Sequence, residues 1–352
     1  MKKIILKVFK FIVIFILISV LIYFGIIAVL FLTGKPEKPE SAQHGPAFDE
    51  LFFDYSSLPE LKSYTARDGT QLAYRHYSAE SDKIIILLHG AGWHSRYFLP
   101  LAEFISSEGL AQVYTPDLRG HGRSPKRRGD VDYIGQYEDD LADLVAIIQK
   151  DNPNSMLIMG GHSSGGGLAI RFAGSRYGQK VDAYLLMSPF LKYNAPTTQL
   201  NSGGFAMPNT GRIIGLVMLN NVGIRWFNYL TVMKLNMPEK ARDGTETLSY
   251  SYRLTTAYAP HDYEKDLSAI TQPLLVIAGT KDETMIYCQY EPVISKYTAV
   301  QVELLQGVSH MGLVVCPEIR PVIKEWLGGF DSHNVSAHNQ ANSADAKNRA
   351  AD

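Results

Sequence analysis

The chain has 352 residues, 46% of them hydrophobic and 20% charged, with a formal net charge of -1. That length holds one large α/β domain or two small ones. The near-neutral charge leaves no electrostatic footprint for a nucleic-acid partner. The two cysteines, Cys288 and Cys316, are not spaced as a zinc or redox motif, and the histidines are scattered, so the sequence indicates no metal site and no cofactor.

Residues 11–32, FIVIFILISVLIYFGIIAVLFL, carry no charge. At 1.5 Å per residue they reach about 33 Å, enough to cross the hydrocarbon core of a bilayer. Lys2, Lys3, Lys7 and Lys10 precede the run, whereas Lys35 and Lys38 beyond it are offset by Glu37 and Glu40. The positive-inside rule then puts the N-terminus in the cytoplasm and the body on the extracytoplasmic side. A cleaved signal peptide has a shorter apolar region and small residues at its cleavage site, and this run ends in Leu30-Phe31-Leu32. A buried core helix has a polar face, and this segment has none. The expected organisation is a cytoplasmic N-terminus and single-pass membrane anchor at 1–33, a linker at 34–59, a globular body at 60–330 and a tail at 331–352.

In the body, Leu61 to Arg67 and Gln71 to Tyr77 alternate like half-buried strands around a hairpin turn at Asp68-Gly69. Lys83 to Leu88 (KIIILL) is a continuous apolar run, suited to a strand buried on both faces of a parallel sheet, and it ends in His89-Gly90-Ala91-Gly92. A helix is predicted from Tyr97 to Ser107 and a strand from Ala111 to Thr115. Tyr133 to Lys150 has Leu141, Leu144, Val145 and Ile148 at helical spacing. Ser155 to Met159 reads as a strand, Leu168 to Tyr177 as a helix and Ala183 to Met187 as the next strand.

The alternation stops at 190–265, a stretch rich in Asn, Gly, Thr and Tyr with helical candidates at Ile213 to Leu219 and near Phe227 to Met233. It resumes with strands at Leu274 to Ala278 and Val302 to Leu305 and a helix from Pro317 to Leu327. Repeated strand-helix units imply a mainly parallel sheet with helices on both faces. Residues 190–265 are then a cap inserted between two strands. Residues 331–352 lack periodicity and are expected to be disordered.

Between the strand at 155–159 and the helix lies Gly161-His162-Ser163-Ser164-Gly165, a G-x-S-x-G pattern. A serine at the apex of a tight strand-to-helix turn has a strained backbone and an exposed oxygen. Side chains two residues to either side would collide, so glycines sit there. The helix that follows aims its free N–H groups at the serine. Ser163 reads as a nucleophile, although an ordinary glycine-rich turn has the same composition.

Its partners lie at other strand ends, where open parallel sheets place their sites. A hydroxyl is a weak nucleophile until a base takes its proton, and His310, in Gly307-Val308-Ser309-His310, is placed to do so. A carboxylate is needed to fix the tautomer of that histidine. Asp282 is the first past its strand, with Glu283 the neighbouring alternative. The chain order Ser, Asp, His is the one this topology requires. Backbone N–H groups of Ser164 and Ala91 are the candidate oxyanion donors.

Together GHSSG at 161–165, HGAG at 89–92, DLRGHGRS at 117–124, Asp282 after GTK and His310 in VSHMG resemble the α/β-hydrolase superfamily. Within it the chain is most similar to the serine aminopeptidase/lysophospholipase-like branch that includes monoacylglycerol lipases, with HGAGWHSRY at 89–97 carrying much of the likeness. The resemblance covers roughly residues 60–330 apart from the cap. It implies an α/β-hydrolase fold, a Ser163-His310-Asp282 triad and a small-molecule acyl ester as substrate. It implies no catalytic role for Arg119 or His121. Trp93 stands where an acidic residue is common in monoacylglycerol lipases.

The expected activity is therefore hydrolysis of lipid-like carboxylic esters, held at a membrane by residues 11–32. A serine aminopeptidase is the alternative and needs a cap carboxylate such as Glu239, Asp243 or Glu246. A non-catalytic, membrane-anchored binding protein on a hydrolase fold is the other. Cys288 and Cys316 each follow a triad residue by six positions, so a disulfide between them is a further expectation if the body lies outside the cytoplasm.

Overall fold

Five strands of the body are almost wholly buried, because neighbouring strands and helices cover them on both faces. The computed structural model describes residues 1–34, 45–123 and 125–330. In chain order its strands are β1 (Lys62–Thr65), β2 (Gln71–Tyr77), β3 (Lys83–Leu88), β4 (Gln112–Pro116), β5 (Met156–His162), β6 (Ala183–Met187), β7 (Ala206–Pro208), β8 (Thr231–Leu235), β9 (Ser249–Ser251), β10 (Leu274–Gly279) and β11 (Gln301–Leu305). Eight of them form one sheet in the order β1-β2-β4-β3-β5-β6-β10-β11. The two pairings made by β2 are antiparallel and the rest are parallel. This is the α/β-hydrolase fold expected from the sequence.

Helices follow the strands at Leu99–Ser107, Gln136–Asp151, Ser164–Ala173 and Ile319–Gly328. The third begins four residues before the predicted Leu168. Its first turn is Ser-Gly-Gly-Gly, which has no apolar period to read, and packing demands the glycines. A Cβ on Gly166 would come 2.9 Å from the Cβ of Pro189, and one on Gly165 would overlap the Leu88 carbonyl.

Between β6 and β10 lie a three-stranded antiparallel sheet, β7-β8-β9, and helices Thr210–Asn221, Tyr252–Ala257 and Tyr263–Ser268. The helix expected near Phe227 to Met233 is instead a turn running into β8. Thr231 and Val232 are β-branched, and the segment gains partners on both sides in the small sheet.

The N-terminal helix runs unbroken from Lys2 to Thr33, with only Ile27 buried. Its last turns pack on the inserted region. Ile27 joins Leu216, Leu219 and Val232 in a small apolar cluster, with Tyr23 and Phe31 against it. Of the expected linker, residues 35–44 lie outside the described residues, as do the tail at 331–352 and Ser124. The part from 45 onward is not free of the body. Phe48–Leu51 forms a 3-10 turn whose Phe48 and Leu51 belong to the main core.

Candidate active site

Ser163 sits between β5 and the helix Ser164–Ala173 with φ 56° and ψ -122°. Positive φ is unfavourable for a side chain, by roughly 1–3 kcal/mol, and persists only when the surroundings impose it. Here they do. The Ser163 N–H donates to the Met187 carbonyl at the end of β6 at 2.9 Å. The Ser163 carbonyl accepts from Gly167 at 3.1 Å and Phe190 at 2.9 Å. The serine is half-buried.

Asp282 follows β10 and His310 follows β11, and the parallel pairing of those two strands brings their ends together. His310 Nδ1 donates to Asp282 Oδ2 at 2.8 Å, and both side chains are buried. Asp282 Oδ1 accepts from the backbone of Thr284 and Met285, each at 2.8 Å, and from Thr284 Oγ1 at 3.0 Å. Burial pushes the Asp282 carboxyl up, but the facing imidazole and these hydrogen bonds outweigh it and hold it at about 2. Burial pushes His310 down, and the charge of Asp282 more than reverses this, so its pKa is raised.

Glu283, the neighbouring carboxylate, faces backbone rather than the imidazole. Its Oε2 accepts the His310 N–H and its Oε1 the Ala47 N–H, both at 2.8 Å. Sequence reasoning missed Thr284, whose Oγ1 also lies 2.9 Å from His310 Nδ1. It also gave no role to His162, the variable position of G-x-S-x-G.

His162 is fully buried, and burial, with the nearby His310, holds its pKa well below the ordinary value, so it is neutral. Its Nε2 faces the His310 carbonyl at 3.0 Å and must donate. Its Nδ1 is then an acceptor and takes the Tyr97 hydroxyl proton at 3.1 Å. The same Tyr97 oxygen accepts the Gly90 N–H at 2.7 Å. One chain of hydrogen bonds thus links the loop after β3, the serine turn and the histidine loop. The sequence carries no spacing that signals it.

The loop after β3 approaches the serine closely. A Cβ on Gly90 would lie 3.2 Å from the Cβ of Ser163. The amides of Gly90 and Gly92 are each bonded to a tyrosine hydroxyl, of Tyr97 and Tyr250, at 2.7 Å. Between them the Ala91 amide has no partner among the described residues. Ser164 is the first residue of its helix, where an amide has no acceptor one turn back. Two unsatisfied N–H groups therefore stand at the ends of adjacent strands β3 and β5.

The cap covers this loop with apolar side chains. A Cβ on Gly92 would meet Met237 at 3.1 Å, Leu235 at 3.3 Å and Phe205 at 3.5 Å. The cap carboxylates have other partners or face solvent. Asp243 pairs with Arg96 and accepts from Thr245. Glu246 accepts the amides of Asp243 and Gly244, and Glu239 is exposed. Arg119 holds Asp140 through two bonds of 2.8 and 2.7 Å, and His121 holds the Tyr250 hydroxyl at 2.9 Å. Arg119 thus serves an ion pair, and His121 reaches the loop after β3 only through the Tyr250 hydroxyl that holds Gly92. Cys288 and Cys316 are free, the first exposed and the second half-buried, so the expected disulfide is not formed.

The sequence profile of the serine aminopeptidase, S33, family matches residues 79–313. Monoglyceride lipase of Rattus norvegicus is 30% identical over 296 residues, covering 80% of this chain and 92% of that protein. Monoacylglycerol lipase of Mycolicibacterium smegmatis is 31% identical over 136 residues, 38% of this chain and 48% of that one. Among solved structures, a soluble variant of monoglyceride lipase from Saccharomyces cerevisiae, in complex with a substrate analogue, superposes with a TM-score of 0.59 at 18% identity, over 83% of this chain and 98% of that one. The chain belongs to the serine aminopeptidase S33 family of α/β-hydrolases, in its monoglyceride-lipase-like branch of ester hydrolases.

Proposed function

We propose that the chain is a membrane-anchored serine hydrolase that cleaves lipid-like acyl esters, of monoacylglycerol or lysophospholipid type, through an acyl-enzyme. The observation that carries this reading is the buried His310–Asp282 hydrogen bond of 2.8 Å, joined through His162 to the strained turn of Ser163. In the reaction Ser163 Oγ attacks the ester carbonyl while His310 Nε2 takes its proton. Asp282 holds the other ring nitrogen protonated and stabilises the imidazolium. The Ala91 and Ser164 amides receive the charge of the tetrahedral oxygen. His310 then returns the proton to the leaving alcohol, and water repeats the sequence on the acyl-enzyme.

The substrate class follows from the cap. Phe205, Leu235 and Met237 lie over the Gly90–Gly92 loop, and no Asp or Glu occurs between Asp182 and Glu239. An acyl chain is accommodated by such a roof. The ammonium group of a peptide N-terminus has no counter-charge there, which disfavours the aminopeptidase. The relatives named as monoglyceride lipases support the same choice. The apolar helix Lys2–Thr33, with its four N-terminal lysines, supports a single-pass anchor with the body on the extracytoplasmic side.

Fluorophosphonate labelling, with Ser163→Ala as control, tests the mechanism. Labelling of the native chain only is expected, with a loss of kcat on the order of 10⁶-fold in the variant. Failure to label, or labelling that survives Ser163→Ala, overturns it and leaves a binding protein. Turnover of acyl esters of graded chain length but not of aminoacyl anilides is the expected substrate pattern. The reverse pattern restores the aminopeptidase. Protease accessibility of the body in sealed vesicles decides the orientation.

A further inference from the structure

The Ala91 amide has no partner among the described residues, yet the backbone groups on either side of it are held. His89 begins the hold. Its Nε2 accepts the Leu118 N–H at 3.1 Å, so the ring proton is on Nδ1, which donates to the Gly90 carbonyl at 2.9 Å. That carbonyl and the Ala91 N–H belong to one planar trans peptide group and point in opposite directions. Fixing the first therefore aims the second.

The next peptide group is held from the cap. Gly92 has φ 85°, and both of its backbone polar groups bond to the segment that forms β9. Its N–H donates to the Tyr250 hydroxyl at 2.7 Å, and its carbonyl accepts the Thr247 N–H at 2.9 Å. Thr247 Oγ1 continues to the Gly120 carbonyl at 3.2 Å, in the loop after β4. Both cap residues are buried.

His121 turns the Tyr250 hydroxyl to this task. Burial, with His89 beside it, holds the pKa of His121 well below the ordinary value, so its ring is neutral. Its Nδ1 faces the Arg119 carbonyl at 3.2 Å, which can only accept, so the ring proton is there and Nε2 is an acceptor. Nε2 takes the Tyr250 hydroxyl proton at 2.9 Å. The phenol oxygen is then free to accept from Gly92. The arrangement repeats that of His162, Tyr97 and Gly90 with the two ring nitrogens exchanged. The body supplies the whole of that relay, whereas the one on the far side of Ala91 needs the cap.

We propose that Tyr250, held by His121, is a positioning residue of the oxyanion hole, so that the cap takes part in the chemistry and does not only roof the site. The proposal rests on the acyl-enzyme reading given above and deepens it. Tyr250 touches no reacting atom; it acts through Gly92 on the direction of the Ala91 amide.

The test uses the full chain in detergent micelles with p-nitrophenyl esters. Fluorophosphonate labelling run to completion counts the competent serines, and kcat is taken per titrated site. Tyr250→Phe keeps the ring and removes the hydroxyl. Its kcat should fall about 10-fold or more, short of the roughly 10²–10³ that deletion of a whole oxyanion donor costs, with KM little changed. A trifluoromethyl ketone supplies a second readout. Ser163 Oγ adds to its carbonyl carbon, the proton passes to His310, and the oxyanion of the adduct lies in the hole. Its Ki should rise by the factor by which kcat/KM falls, while the matching secondary alcohol, which forms no adduct, should bind as before. A loss of packing alone does not separate those two ligands. Tyr184→Phe is the control, because that buried hydroxyl donates to the Gly178 carbonyl at 3.2 Å; it should lower the melting temperature and leave kcat unchanged.

Native kcat and native ketone affinity in Tyr250→Phe overturn the proposal and leave the hydrolase standing. A native chain that does not titrate overturns the hydrolase and this proposal together. If Tyr250→Phe does not fold, His121→Phe, which leaves the hydroxyl free to turn, is judged by the same two ratios. In the native chain, 15N spectra of labelled histidine must place the His121 proton on Nδ1, and a proton on Nε2 overturns the relay whatever the variants do.

Discussion

The carboxylate of Glu283 holds the backbone of His310. Its Oε2 accepts the His310 N–H at 2.8 Å, while Oε1 accepts that of Ala47 at the same distance. One residue thus ties the histidine loop to the segment around Ala47 that precedes the sheet. Glu50 repeats the link one residue away, accepting from Ser309 Oγ at 2.5 Å. Glu283→Ala removes both of its bonds, each worth about 1.5–3 kcal/mol of stability as a hydrogen bond to a charged group. Because His310 loses its backbone tether, kcat should fall while KM changes little. Denaturant titration and steady-state kinetics read the two effects, and an unchanged kcat removes the positioning role. Glu283→Gln keeps one acceptor oxygen and should recover part of the loss.

Asp282 touches the imidazole itself, so its replacement should be far more severe. Asp282→Asn keeps the shape, yet its amide can present N–H to Nδ1 and so favour the wrong tautomer. A loss on the order of 10⁴ in kcat is expected. If Glu283→Ala proves worse than Asp282→Asn, the acid of the triad has been assigned to the wrong residue.

Tyr97 connects the loop after β3 with His162 through a single hydroxyl, which accepts from Gly90 and donates to His162 Nδ1. Tyr97→Phe leaves a buried amide and a buried ring nitrogen without partners. That should cost roughly 1–3 kcal/mol of stability per group. The adjacent Ala91 amide loses its fixed direction as well, so kcat should drop more than KM rises. Equal kinetic constants in wild type and Tyr97→Phe would show that the relay only stabilises the fold.

How much of this was legible in the sequence depended on what each segment packs against. Strands such as Lys83–Leu88 announce themselves because a doubly covered strand must be apolar throughout. Ser163, Asp282 and His310 stood out because glycines or strand ends fix their positions in the chain. Thr284 and His162 did not, and Glu283 reads only as an alternative acid, since the contact with His310 that gives each its place comes from a distant loop; His162 and His310 are 148 residues apart. Phe227 to Met233 was misread as helical because a short apolar run has no distinguishing period, and pairing in the small sheet decided its form. Ile213 to Leu219 reads in sequence only as an apolar helical segment. In the fold, Ile213, Leu216, Met218 and Leu219 pack in the cluster with the N-terminal helix. A Cβ on Gly215 would meet the Phe31 ring at 2.6 Å, and nothing in the sequence distinguishes that glycine from one in an ordinary helix.

The two cysteines should behave as independent thiols. Cys288 is exposed, and burial pushes the thiol of Cys316 up to about 11. A thiol reagent at neutral pH should therefore modify Cys288 in the native chain and reach Cys316 mainly after unfolding. Thiol counts under denaturing conditions should be the same with and without reductant. A count that rises on reduction would establish a disulfide after all.

The pH dependence follows from opposite demands on His310. In the proposed role of base it must be neutral to accept the Ser163 proton, whereas its contact with ionised Asp282 favours the protonated ring. Its pKa is raised, so the acidic limb of kcat/KM should lie above the ordinary histidine value of about 6.5. Stability runs the other way. The raised pKa contributes stability that is full below the unfolded value and is lost as pH rises through the folded one. Asp282, lowered to about 2, contributes stability above the ordinary carboxylate range that is lost only as pH falls toward that value. Activity should thus rise across the pH window in which the His310 contribution to stability declines. Asp282→Asn should move the acidic limb downward by removing the charge that raises it. Rate profiles and melting temperatures of both proteins measure this, and a limb that stays in place in Asp282→Asn would assign it to another group.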